Sequence, residues 1–389
     1  MYVKVTLNRK IGFLLLSVVV LSCARKETSQ QQGNNRHMIS TWKNFRGDGQ
    51  LRGRAHGQLP DSLIPAWSAE TGGEGVGPPV IDENSVYVGS GGGVLYAFRK
   101  TDGSLLWKFK TTGAIEAAPL VEYERVFIGD KDGTMYAVDR RTGAVLWTFT
   151  TDGSIVSSAN MIAGSRPILL FGNHNDTLYA LDCSNGSTVW KYASDSYING
   201  TPATDGSRIV FGGCDAHLHL LSARDGALIK KINVGAYVAG SVAMDGSHCW
   251  AGLYNGQLLD VGIDSMNIVW TFRPNERPDP FFAPPAITGS MVMAPSYDGS
   301  VYGVSRTKGT IVWKFAARDR INSAPVVCGD RCIFGSDDGW VYILNVKNGT
   351  LVDSYEVGGA ITSPAVGGGL IVVGDDNGKV SAFLGQARK

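Results

Sequence analysis

Residues 129–149 read GDKDGTMYAVDRRTGAVLWTF. From Thr134 to Asp139 polar and apolar side chains alternate, with Tyr and Val among them, which is strand chemistry. Lys131-Asp132-Gly133 before this run and Arg141-Thr142-Gly143 after it read as turns, where Gly supplies the positive φ that tight connections need. A second strand follows, ending in Trp147-Thr148-Phe149. The unit is turn, strand, turn, strand, with no room for a helix.

The same unit returns at 89–109 (GSGGGVLYAFRKTDGSLLWKF), 172–192 (GNHNDTLYALDCSNGSTVWKY) and 335–355 (GSDDGWVYILNVKNGTLVDSY). Its Trp serves as a ruler: Trp67, Trp107, Trp147, Trp190, Lys230, Trp270, Trp313 and Asp353, separated by 40, 40, 43, 40, 40, 43 and 40 residues. A fixed period of about 40 with short strands and recurrent Gly excludes a helical solenoid and fits a β-propeller. In the second blade the strands are expected at 118–122, 125–129, 134–139 and 144–150. The first ruler Trp, in 63–69 (LIPAWSA), lacks the strands that should precede it, and the last repeat, 363–384, lacks a final Trp strand. These complementary defects predict an all-β, eight-bladed propeller of four-stranded antiparallel blades, its ring closed by the N-terminal strand. Trp42 and Phe45 are expected to pin the preceding arm to the body.

A net charge of +1 gives no global field for nucleic acid, and no nucleic-acid partner is expected. Lys4, Arg9 and Lys10 precede an apolar run, 11–21, too short to span a bilayer and suited to a signal peptide. Ser22-Cys23 directly after it resembles a bacterial lipobox, with Cys23 the lipidated residue. The domain reading is therefore a lipoprotein signal (1–22), a polar flexible tether (23–40) and one propeller (41–389). Ala24 follows the Cys where Asp would mark inner-membrane retention in the enterobacterial pattern. By that pattern the chain is expected on the outer membrane, facing the periplasm, with the inner membrane and surface display as the alternatives. Of the remaining cysteines, Cys328 and Cys332 flank a hairpin turn and form a candidate disulfide, while Cys183, Cys214 and Cys249 are expected to be free thiols.

The pattern x-x-P-x-V…V-x-x-G-x-x-D-G-x-L-Y-A-x-D-x-x-T-G-x-x-x-W-x-F resembles the repeat of the pyrroloquinoline-quinone (PQQ)-type propellers. That family includes quinoprotein alcohol dehydrogenases and the BamB lipoproteins of the outer-membrane β-barrel assembly machine. The resemblance runs from about Trp42 to the C-terminus and speaks for fold more than for function. It implies that each ruler Trp packs between neighbouring blades against the next Gly-bearing turn. Lys230 and Asp353 depart from the Trp, and Pro295 replaces the Gly of a B–C turn (the four strands of a blade being A to D in chain order from the inside out), so those blades are expected to dock less tightly.

The dehydrogenases of the family carry adjacent cysteines near the quinone, and this chain has no Cys-Cys pair. No G-x-S-x-G or H-E-x-x-H appears. His217 and His219 share one strand face, read as blade surface with metal as a minor alternative. The favoured function is a membrane-anchored, non-enzymatic protein-interaction scaffold of the BamB type, with outer-membrane assembly proteins as partners, no cofactor and no catalytic residues. The alternatives are a small sensor or oxidoreductase holding PQQ with Ca²⁺, and a surface glycan binder, for which only Phe281-Phe282 offers an aromatic platform.

Alignment on the ruler gives a funnel-facing row of Val76, Glu116, Val156, Asn199, Ala239, Phe282, Asn322 and Thr362. The row before it (Gly75, Ile115, Ile155, Ile198, Val238, Phe281, Ile321 and Ile361) is mostly aliphatic and reads as core. A water-filled vestibule is the simplest content of that funnel. For an anionic ligand, Glu116 would oppose it and Arg320, Asn322 and Asn199 would favour it. One inter-blade loop on this face, 273–283 (RPNERPDPFFA), is three residues longer and stiffened by Pro274, Pro278 and Pro280. Adjacent residues of an extended chain cannot both face the core, so Phe281 or Phe282 should face out, beside Arg277 as a partner anchor. Changing Cys23 to Ala should abolish metabolic lipid labelling and release the mature protein as soluble; undiminished labelling of the variant would refute the anchor.

Overall fold

The computed structural model describes residues 41–238 and 240–385; Cys23, the tether and Ala239 lie outside them. In the second repeat the alternation settles into strands Leu120–Glu122, Arg125–Gly129, Thr134–Asp139 and Val145–Thr150, paired in chain order as one antiparallel sheet. Sheets of the same order occupy 80–110 (blade one), 120–150 (two), 160–193 (three), 203–233 (four), 243–272 (five), 286–316 (six) and 326–356 (seven). Blade eight takes three strands from 365–384, and its outer strand is Pro65–Glu70, which pairs antiparallel with Lys379–Leu384 in the register Trp67↔Ala382, Glu70↔Lys379. The ring thus closes through the N-terminal strand, as the complementary end defects require.

The ruler Trp locks each blade to the next. Trp107 lies flat against the C–D turn of blade two, where Gly143 has φ +71° and a Cβ would sit 2.6 Å from the indole Cε3. Its Nε1 donates to the Arg140 carbonyl at 3.0 Å. The same donor–turn pairing joins Trp67 to Lys100, Trp147 to Cys183, Trp270 to Arg306 and Trp313 to Val346.

The two departures are refitted rather than vacant. Opposite Lys230 the turn carries Met266 where its counterparts carry Gly, with φ 50° and a buried side chain, and Lys230 Nζ donates to the Ser265 carbonyl. A thioether thus fills space that an indole would take, and an ammonium replaces the indole N–H. Asp353 receives the backbone N–H of Leu63 at 2.7 Å, so this carboxylate holds the closing strand at its entry. Pro295 is buried within Met291–Pro295, opposite Val301.

Each blade's innermost strand presents an unpaired edge towards the axis, a cost if left dry. Residues 42–55 run across these edges. Trp42 bridges Ile81 of blade one, and the carbonyls of Lys43, Gly49, Gln50, Arg52 and Gly53 accept the N–H groups of Val121, Thr204, Met244, Ile287 and Val327. Gly49 also accepts Asn160 Nδ2 of blade three, and Arg54–Ala55 pairs parallel with Val327–Cys328. At the hub Arg46 is 2% exposed and donates to the carbonyls of Pro285 and Pro325. Burial lowers its pKa to about 9, with Asp48 pulling the other way. Gly53, φ +65°, leaves the room this guanidinium occupies.

Cys328 and Cys332 do not form the expected disulfide; both are free and buried. The hairpin pairs Cys328 with Arg331 and Val327 with Cys332. Their offset across the ladder is therefore odd, so the two thiols face opposite sides of the sheet and join different core clusters. Burial pushes their pKa values up to about 11 and 12. Cys183, Cys214 and Cys249 are also free.

Two stability tests follow from these contacts. Arg46→Ala should cost about 2–4 kcal/mol in urea unfolding, through two stranded carbonyls and a cavity at the hub. Lys230→Trp alone should lower the melting temperature because Met266 holds the space. Adding Met266→Gly should restore it, and additive effects would show that the two positions do not form a unit.

Candidate functional site

On the face formed by the inter-blade (D–A) and B–C connections, the axis opens into a cup of about 520 Å³. Its lining brings together Glu116, Val156, Asn199, Phe282 and Asn322 from the funnel row, with Phe45 of the arm and Ser158 and Ser241 of the inner ring. The aliphatic row behind is buried from Ile115 to Ile361, as alternation demands. Val76 differs from its assignment: its N–H bonds to the Asp375 carbonyl in the way Ile115 bonds to Ser90, and it is buried with the core row. Blades one and eight have one residue fewer before their Pro (Pro79, Pro364), so no side chain projects there as Glu116 does. Thr362 is tied to Gly374 through both its N–H and its hydroxyl.

The charged and amide groups of the cup are mostly spoken for. Lys131 Nζ meets Glu116 Oε1 at 2.9 Å. Asn199 joins His174 at 2.6 Å and donates to Cys214 Sγ at 3.3 Å, while Asn322 Nδ2 donates to Asp337 at 3.0 Å. Burial, then the neighbouring Asp319 carboxylate, raises the pKa of Asp337. Arg320 sits beside the cup, its guanidinium 4.6 Å from the Tyr297 ring centre. An anion would thus find both amides engaged and a carboxylate nearby, so the expected Arg320–Asn322–Asn199 anion sector does not assemble.

The long loop rests on blades five and six. Phe281 is buried against Phe272 and Tyr302, while Phe282 lies on the cup wall edge-on to Tyr254 (5.8 Å) and Tyr297 (5.1 Å). Arg277 is exposed at the outer end of the loop, where its N–H closes a turn on Asn275 Oδ1 at 2.8 Å, and it takes no part in the cup. An aromatic arc therefore surrounds Phe282, which corrects the reading that Phe281-Phe282 stand alone. Tyr237 and Tyr254 are 6.4 Å apart, and Tyr197 stacks on His174 at 5.0 Å. These rings were legible: Tyr197 and Tyr237 sit one residue before the core row, and Tyr254 and Tyr297 sit two after the B–C turn position. Phe45 carried no repeat signal.

His219 is not a surface residue. It is fully buried, with Nε2 2.8 Å from Asp215 and Nδ1 3.0 Å from the Tyr192 hydroxyl. It takes the place of a Tyr that binds the B–C turn carboxylate in other blades, as Tyr302 binds Asp298 and Tyr342 binds Asp338. His217 lies 6.1 Å away, and among the described residues no group of three or more His, Cys, Asp or Glu is placed to hold a metal.

This architecture defines an eight-bladed propeller, and the comparisons agree on the fold. The family model described as outer membrane protein assembly factor BamB matches residues 48–165, 156–229 and 214–387, and the chain belongs to that family. BamB of Xanthomonas campestris pv. campestris is 28% identical over 102 residues, a quarter of this chain and a quarter of that protein. The crystal structure of BamB from Moraxella catarrhalis superposes with a TM-score of 0.70 at 22% identity, over 83% of this chain and 99% of the other. Quinohemoprotein alcohol dehydrogenase from Comamonas testosteroni gives 0.76 at 12% identity, over 90% and 81%. At these identities both show the fold. The cup's donor set does not fit the dehydrogenases' quinone: a planar tricarboxylate would meet Glu116 and find no arginine in the lining.

Burial lowers the pKa of His219 below its usual value, against the opposing pull of Asp215. Its neutral form belongs to the fold, so its contribution to stability should be full above about pH 6.5 and fall as pH drops below it. His219→Tyr should remove that part of the pH dependence in melting curves.

Proposed function

We propose that this protein is a lipid-anchored scaffold of the cell envelope that holds assembly proteins at the periplasmic face of the outer membrane. Family membership over almost the whole propeller carries this reading. The lipobox-like Ser22-Cys23 and the polar tether supply the anchor. The funnel face supplies the contact surface. There a loop with three prolines presents Arg277 outward and Phe282 inward, next to Arg320 on Tyr297. A stiff loop loses little entropy on docking, and Arg beside aromatic rings is a common interface anchor. Glu116, Asn199 and Asn322 then form the polar wall of that surface rather than a reactive centre.

The test is capture from native membranes by crosslinking. The lipidated protein should recover a β-barrel assembly protein, and the Arg277→Ala/Phe282→Ala pair should lose it with little change in melting temperature. Intact capture by the pair would remove the loop from the interface. Stoichiometric binding of the quinone, with a thermal shift, would overturn the scaffold reading.

A further inference from the structure

We propose that the funnel cup binds a neutral oligosaccharide, independently of the scaffold role. The cup has the size of a small-ligand site, about 300–1,000 Å³, at about 520 Å³. Its floor and one wall are aromatic, from Phe45 and Phe282. Along the rim Tyr197, Tyr237 and Tyr254 are 50%, 54% and 58% exposed, far more than core aromatics. Among the described residues their hydroxyls have no hydrogen-bond partner. Such rings offer an apolar face to the C–H side of a sugar ring and a hydroxyl to its edge.

A second observation points to a ligand rich in hydroxyl groups. Ser158 and Ser241 line the cup and are 6% and 7% exposed. Each oxygen accepts a backbone N–H, from Ala118 and Thr201 respectively, both at 2.9 Å. Neither hydroxyl proton has an acceptor among the described residues, so two nearly buried donors remain to be satisfied. The acceptors are there too: Asn322 Oδ1 and Glu116 Oε2 stay unpaired after their partner atoms bond Asp337 and Lys131. A sugar, whose hydroxyls donate and accept in turn, answers this mixed set.

Charge selects against other small ligands. Among the described residues Glu116 is the one ionisable side chain of the lining, and Lys131 already neutralises it. An anionic ligand gains nothing, and a cation would compete with that pair. A protein partner held at Arg277 and Phe282 would leave the two buried hydroxyls unmet.

The test uses the folded propeller with chitotetraose, cellotetraose and maltotetraose, read by calorimetry and by tyrosine fluorescence. At least one should bind saturably. Tyr237→Ala and Tyr254→Ala, both at exposed rings, should each weaken it roughly three- to tenfold with unchanged melting temperature. Ser158→Ala and Ser241→Ala should weaken it with the rings intact, whereas Leu105→Ser on the opposite half of the blade rim should not. No binding by any of the three sugars, or binding indifferent to both tyrosines, overturns the proposal. So does loss of protein capture in the tyrosine variants without any sugar binding, which would make the arc part of the scaffold interface. Arg277→Ala alone, outside the cup, separates the two roles: capture lost in that variant with sugar binding retained supports both readings.

Discussion

The contact on which the ring depends is an indole laid on a glycine turn. A propeller blade has no covalent reason to stand at a fixed angle to the next. Trp107 sets that angle because its ring fills the space above Gly143, and because its N–H must find the Arg140 carbonyl to be buried at no loss. The turn cannot carry a Cβ without moving the ring. Repeated at five of the junctions, this contact fixes the period of the sequence; at a sixth Trp190 packs on Gly226 in the same way, with its Nε1 buried and without a partner among the described residues. It also explains why a departure on one side brings a departure on the other: where Lys230 stands, the turn has Met266.

Closing a ring leaves a second problem at its axis. Eight inner strands converge with one edge each, and small blades cannot fill the space between them. The arm 42–55 meets this by spending its own carbonyls on successive blades, with Arg46 bridging Pro285 and Pro325 at the centre. A consequence reaches the opposite face. Phe45 of the same arm forms part of the lining of the funnel, so the device that seals the inner edges also turns a channel into a cup.

The period, the blade count and the closing strand were legible because they rest on local patterns: alternation, turn glycines and one large aromatic per repeat. The strand at Thr134–Asp139 lies where the sequence places it. The funnel row was legible in part for the same reason, since Glu116, Asn199, Phe282 and Asn322 do line the cup. Val76 was misplaced because blades one and eight drop one residue before the proline, a change that a ruler anchored on Trp cannot see. The disulfide failed on ladder parity, which a C-x3-C spacing does not reveal until the pairing register is known. Phe45 and Arg46 belong to a segment outside the repeat, and contacts across more than 200 residues leave no periodic trace.

What remains free in such a sequence is where function has room. The Trp column, the turn glycines and the aliphatic inner row are held by packing against a neighbour. The position just before the inner row and the second residue of the B–C turn bond to each other through the backbone, as the Tyr254 N–H does to the Tyr237 carbonyl, and their side chains take no part in the Trp locks. In blade one those columns hold Gly75 and Gly91 and in blade two Ala114 and Lys131; in blade four they hold Tyr197 and Cys214 and in blade five Tyr237 and Tyr254. Aromatic residues therefore accumulate in one sector of an otherwise eightfold frame. Packing gives no reason for half-exposed rings there, because each could be replaced by a small polar residue without disturbing a lock or an inner strand. Set on one side of the cup, they give the funnel face a direction that the eightfold repeat alone would not.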